Sequence, residues 1–273
     1  MKLALTSVIG ALLGMAQTQI CRAQMQDNRE KTLSCANGYA GDQSRHCEIR
    51  EQTLAAVGRL AVDPGRNGGV SIKGWLQNQV LVRAKVETWA DSDSEAALIA
   101  SRVRVDANTG QVSASAPEPQ SGSGWAVSYE IFVPQTTDLD LKAYNGGISI
   151  SDVRGRLEFN AKNGGVTLKR VAGDVAGTTL NGGVHVELAG NTWDGRQLEV
   201  STKNGGVTLA LPDRYSAHVR TETVNGAVRS DFPEAVPSPQ PNLRSHSVDM
   251  TLGSGGPLIH VSTTNGGVTL KRL

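Results

Sequence analysis

The chain has 273 residues, and its 27 Lys and Arg against 26 Asp and Glu exclude the basic footprint of a nucleic-acid binder. It holds 31 Gly, 3 Cys and only 4% aromatic residues, without the triplet glycine period of collagen. The remainder, rich in Val, Leu and Thr, reads as many short strands joined by tight turns in one extended domain or two compact ones.

Residues 1–23 read as a secretory signal peptide: Lys2, an apolar stretch from Leu3 to Met15, then small residues ahead of cleavage after Ala23 or Ala16. The stretch falls short of the roughly 20 apolar residues of a membrane span, and no second run of that length follows. Cys21 follows Gln19-Ile20, where a lipid-modified cysteine wants a small residue. Export leaves Cys35 and Cys47 in an N-terminal segment, 24–54. The polar, glycine-containing stretch between them is expected to close as a disulfide worth about 3 kcal/mol. A zinc pair with His46, or a redox couple, fits the spacing less well, and no CxxC is present.

Residues 55–273 are organised by a repeat. Asn-Gly-Gly followed by Val or Ile recurs at Asn67, Asn145, Asn163, Asn181, Asn204 and Asn265, and a degenerate copy begins at Asn225. Successive starts from Asn145 are 18, 18, 23, 21 and 40 residues apart, the last being about two periods. Two residues before each Asn from Asn145 onward lies Ala or Thr, as at Ala143, Ala161, Thr179 and Thr202. Aliphatics alternate on both sides, as in Leu139, Leu141, Ile148 and Ile150. Each unit is therefore strand, turn, strand, with one apolar face.

Two folds use that unit. Asn-Gly between alternating strands is a hairpin signal, so a barrel or sandwich of stacked hairpins is the alternative. Recurrence of the same residue types at the same offsets favours coils stacked like over like. The expected fold is all-β: a single-stranded parallel β-solenoid, β-helix-like and right-handed, with one short helical insertion. Its repeated Asn residues are expected to stack as a hydrogen-bonded turn ladder, Asn and Gly supplying a left-handed corner. As an ion site the row lacks regular carboxylates. The helical insertion is the capped stretch Asp93–Ala100. Ala116–Gly124 and Pro233–Pro241 read as loops, and Ala126–Pro134 as a further strand.

The pattern from Leu139 through Asn145-Gly-Gly-Ile148-x-Ile150, its repeats, and Leu252-Gly-Ser-Gly-Gly-Pro-Leu-Ile-His-Val261 resembles the putative-adhesin β-strand-repeat family of bacterial envelope domains. The resemblance covers roughly residues 55–273. The segment from Cys35 through Arg45-His46-Cys47-Glu48 to Asn67-Gly-Gly-Val is similar to secreted members. The resemblance implies a β-helix-like fold and an extracytoplasmic, periplasmic or secreted, location, and it implies no activity.

No hydrolase, zincin or phosphate-loop motif is present. The five His residues (46, 185, 218, 246 and 260) and the strand carboxylates share no offset between neighbouring repeats. No catalytic, cofactor or metal residues are therefore assigned. Lys142, Lys162 and Lys203 fall on one face if coils stack. That face is either solvated charge that keeps the sheet from aggregating or a weak site for an anionic polymer. Trp75, Trp89, Trp125 and Trp193 are expected to cover core ends and loops. The expected role is a non-enzymatic structural or interaction module of the envelope, its partner an envelope polysaccharide or protein. A carbohydrate-active enzyme and an envelope-stress accessory protein are the rival classes. The disulfide segment is expected to cover one end of the stack, and the terminal coil ending at Leu273 to be covered by a loop or by a second copy.

Overall fold

The computed structural model describes residues 31–36, 43–235 and 246–273. The expected signal peptide, Cys21 and part of the Pro233–Pro241 loop lie outside the described residues. The N-terminal part contains β1 (Ser44–Ala55), β2 (Arg59–Asp63), β3 (Val70–Trp75), β4 (Gln79–Ala90), α1 (Asp93–Arg102), β5 (Arg104–Asn108), β6 (Gln111–Ser115) and β7 (Gly124–Pro134). The regular repeats follow as β8 (Asp138–Asn145), β9 (Ile148–Ser151), β10 (Arg154–Asn163), β11 (Val166–Lys169), β12 (Ala172–Asn181) and β13 (Val184–Glu187). The C-terminal part contains β14 (Gln197–Asn204), β15 (Val207–Leu211), β16 (Ala217–Asn225), β17 (Val228–Ser230), β18 (His246–Leu252), β19 (Leu258–Asn265) and β20 (Val268–Arg272).

The strands form two ten-stranded sheets. Sheet A runs β1-β4-β7-β3-β9-β11-β13-β15-β20-β17, and sheet B runs β18-β16-β19-β14-β12-β10-β8-β2-β6-β5. Strands flanking one Asn-Gly-Gly lie in different sheets, so the tripeptide is a corner and not a hairpin turn. One sheet-B strand, its corner and the following sheet-A strand make a rung. Equivalent strands of successive rungs pair in parallel and in register. The expectation of parallel strands throughout fails at the ends, where β1–β4, β4–β7, β5–β6 and β16–β18 pair antiparallel. Neither sheet closes into a barrel.

Alternation places aliphatics in columns between the sheets. Val70, Ile148, Val166, Val184, Val207 and Val268 form one column of sheet A, Leu139, Leu157, Val175, Leu198 and Ile259 form one of sheet B, and all are buried in one core. Each such side chain contributes about 1.5–3 kcal/mol by leaving water. The next sheet-B column shows a size exchange. Phe159 stands beside Gly177, where a Cβ would lie 2.4 Å from the Phe159 ring. Phe159→Val and Gly177→Val are each expected to cost about 2–3 kcal/mol, one by a cavity and one by a clash. The double variant repeats the natural Val200–Val261 pairing and should return to within about 1 kcal/mol of the parent by urea unfolding. Additive losses would refute the exchange.

The corner explains the glycines only partly as expected. Among the described non-glycine residues only Asp152 and Arg170 have φ in the left-handed region, and they sit at the opposite corner, joined by paired 2.7 Å bonds from the Arg170 guanidinium to the Asp152 carboxylate. At the Asn corners no Asn takes that conformation, Gly68, Gly205 and Gly266 have φ of 133°, 159° and 154°, and the constraint common to the corners is contact between rungs. A Cβ on Gly146, Gly164 or Gly182 would lie 2.1 Å from the carbonyl oxygen of Gly68, Gly146 or Gly164. The second glycine is freer, and the degenerate rung carries Ala227 there.

Rung order is not chain order. The C-terminal pair β19/β20 inserts between the β14/β15 and β16/β17 rungs. β18 pairs outside β16, and the connection from Leu252 to Leu258 steps across the start of β16. The rung ending at Leu273 is therefore interior, which corrects the expectation that it forms the open end. The reason is register: the Asn265 rung fits the full-length β14, whereas the Asn225 rung has only three residues in β17 and suits an edge. At the other end the disulfide segment belongs to the sheet. Cys47 lies in β1, bonded to Cys35 with Cα atoms 5.8 Å apart. Ser92 caps α1 by accepting from the Glu95 amide, and Arg50 donates to the carbonyls of Ala100 and Val103 at the helix C-terminus.

Candidate functional site

The Asn ladder forms along the outer corner. Each amide donates to the side-chain oxygen of the Asn one rung nearer the N-terminal end: Asn145 to Asn67 (3.0 Å), Asn163 to Asn145 (2.9 Å), Asn181 to Asn163 (2.8 Å) and Asn204 to Asn181 (2.8 Å). The exchange of rungs keeps the column intact, with Asn265 donating to Asn204 at 2.7 Å and Asn225 to Asn265 at 2.8 Å. Thr179, Thr202, Thr263 and Thr223 brace it, each hydroxyl donating to the first-glycine carbonyl of the adjacent rung at 2.7–2.9 Å. Both hydrogen-bonding ends of each inner amide are thus occupied within the ladder, which makes the row a structural spine.

The outer face of sheet B beside this spine is open. Alternation turns the residues one and three before each Asn away from the core, and these two rows line a groove of ≈ 1370 Å³. In rung order the first row reads Arg66, Tyr144, Lys162, Leu180, Lys203, then Thr264 and Val224. The second row begins with Lys142 and continues with amide and hydroxyl groups at Asn160, Thr178, Ser201 and Ser262. The structure therefore brings Lys142, Lys162 and Lys203 onto one face, Lys142 in one row and the other two in its neighbour.

The charges of this face are unbalanced locally. Among the described residues no carboxylate pairs with Arg66, Lys142, Lys162 or Lys203. Lys162 donates to the Tyr144 hydroxyl at 2.7 Å and lies 4.3 Å from its ring centroid. That hydrogen bond, the Lys162 charge and more distant Arg66 lower the Tyr144 hydroxyl pKa below its ordinary value. The two carboxylates at the groove margin are engaged: Asp63 accepts from the Gly65 amide, and Glu222 from Arg220. Farther from the corner, cations on the same face have acidic partners, Arg59 with Asp140 and Arg156 with Glu158. Tyr144 (44% exposed) and Leu180 (37%) lie open between the cations. Arg66, Tyr144 and Leu180 were missed in the sequence, although their signal was present, one position before each Asn.

A second polar cluster lies on the face of sheet A away from the core. Glu130, 1% exposed, accepts from Lys73, from the Thr32 hydroxyl and amide, and from Arg83. Arg83 also bonds Glu51 and the Leu33 carbonyl. Every group there has a partner, so the cluster ties residues 31–33 onto the sheet. Its signal was an acidic residue within the apolar run Tyr129–Val133. Trp75 and Trp193 are buried and stand apart from the groove. Among the described residues no group of His, Cys, Asp and Glu converges to hold a metal, and no helix is long and apolar enough to cross a membrane.

The model of the family described as Toastrack DUF4097 matches residues 59–271. No curated protein is significantly similar to the chain. Among solved structures, a putative cell adhesion protein from Clostridium sporogenes aligns at 13% identity and a TM-score of 0.41, covering 84% of this chain and 100% of that one. A putative adhesin from Bacteroides fragilis aligns at 12% identity and 0.33, covering 84% and 97%. A putative lipid binding protein from Parabacteroides distasonis aligns at 8% identity and 0.29, covering 82% and 96%. Likenesses this slight say nothing about what the groove takes.

Proposed function

This chain belongs to the Toastrack DUF4097 family, and from the open face of sheet B we propose that it is a non-enzymatic interaction module of the bacterial envelope that holds an anionic polysaccharide. The observation that carries this reading is the set of four cations without carboxylate partners, gathered beside exposed Tyr144 and Leu180 while other cations of the same face are paired. Unpaired cations in a shallow groove raise the local concentration of a polyanion, and the hydroxyl and amide row beside them suits a polyhydroxylated chain. The Cys35–Cys47 disulfide and the apolar N-terminal stretch support an extracytoplasmic location.

The test is retention on an immobilised acidic polysaccharide at moderate salt. The parent chain is expected to be retained, and replacement of Lys142, Lys162 and Lys203 by Glu is expected to abolish retention with the thermal transition unchanged, because all three are exposed. Equal retention of parent and variant would refute the reading.

A further inference from the structure

The first row of the groove has a period. Counting rungs from the N-terminal end, cations occupy the first, third and fifth places (Arg66, Lys162, Lys203), with Tyr144 and Leu180 on the second and fourth. Rungs of a β-sheet are about 4.8 Å apart, so the backbone positions that carry these cations recur about every 9.6 Å along the stack, with the Lys162 side chain leaning back onto Tyr144. An equatorially linked hexopyranose advances by about one strand spacing per residue. We propose that this face selects an acidic polysaccharide carrying one carboxylate on every second sugar, laid along the stack across the strands. Uncharged sugars then fall on Leu180 and on the ring face of Tyr144 that Lys162 does not cover, which meet their C–H surfaces. The inference rests on the polysaccharide reading above and adds to it the spacing of charge and the direction of the chain.

Lattice matching explains features that net charge leaves unexplained. The cations of the first row skip the rungs of Tyr144 and Leu180, and the row loses charge at Thr264 and Val224, so the track covers five rungs. A polymer charged on every residue would place alternate carboxylates on the rungs of Tyr144 and Leu180, from which no cation of the row arises. Lys142, beside the second rung in the other row, adds attraction without breaking the period.

The test compares hexasaccharides by titration calorimetry at physiological salt: one from hyaluronan, with carboxylates on alternate sugars, one of β-1,4-linked mannuronate, also equatorially linked but charged on every sugar, and neutral chitohexaose. The hyaluronan hexasaccharide is expected to bind at least 10-fold tighter than the mannuronate one despite carrying half its charge, and chitohexaose weaker still. The exchange Lys162→Leu with Leu180→Lys keeps composition and net charge at two exposed positions but destroys the period, and should erase that preference. Lys142→Gln should weaken the mannuronate hexasaccharide more than the hyaluronan one, because Lys142 shares the second rung with Tyr144. Mannuronate binding as tightly as hyaluronan, or a preference that survives the exchange, overturns the spacing while leaving the polysaccharide reading in place. Failure of every acidic ligand to bind overturns both. The parent comparison decides the matter even if the exchanged chain does not fold.

Discussion

Gly182→Ala is expected to destabilise the chain by about 3 kcal/mol or more, whereas Gly183→Ala, one residue away, changes stability by less than about 1 kcal/mol. A Cβ on Gly182 would sit 2.1 Å from the Gly164 carbonyl oxygen and 2.4 Å from its carbon. These are backbone atoms, and the same oxygen accepts from the Thr179 hydroxyl, so the rungs must part to make room. At Gly183 the nearest atom is the Gly206 carbonyl oxygen at 3.4 Å, an ordinary contact, and its φ lies outside the left-handed region. Alanine there also lowers the entropy of the unfolded chain, which offsets part of any strain. Urea unfolding of the two variants measures the contrast. Equal effects would mean that the corner selects glycine for backbone freedom and not for the approach of the next rung.

Glu130→Gln is expected to cost about 3–5 kcal/mol at pH 7, because it leaves Arg83 largely buried beside a neutral amide. Burial pushes the Glu130 pKa up, but hydrogen bonds from Lys73, Thr32 and Arg83 outweigh it and hold the value at about 2, against an ordinary 4.5. A depressed folded-state pKa stabilises fully above the unfolded value and ceases to do so as pH falls through the folded one. The parent should therefore lose about 3 kcal/mol from this group between about pH 5 and 2, whereas the variant loses none of it. Stability curves of parent and variant, measured with the disulfide intact, should converge towards acid. A constant gap between them would show that the Glu130 charge does not contribute. Because the carboxylate also accepts from the Thr32 and Leu33 amides, the variant should expose residues 31–33 to proteolysis at neutral pH.

Local spacing determined much of this molecule. The Asn-Gly-Gly register announced rungs stacked like over like, because a parallel ladder in register brings equal offsets together and alternation at a period of two leaves no freedom over which side faces the core. The pairing of Cys35 with Cys47 and the capped helix after Ser92 were legible for the same reason: each depends on neighbours in the chain. Tertiary structure alone decided where the last rung goes. Repeats that look alike fit the same neighbours nearly equally well, so nothing local distinguishes a terminal coil from one inserted between Asn204 and Asn225, and the choice falls to which edge best matches length and register. It also decided why glycine stands at each corner, since the oxygen that excludes a Cβ belongs to another rung. The alternation of Arg66, Tyr144, Lys162, Leu180 and Lys203 was written in the sequence one place before each Asn. It became a row of charges at a fixed interval only once the strands were set side by side at hydrogen-bonding distance.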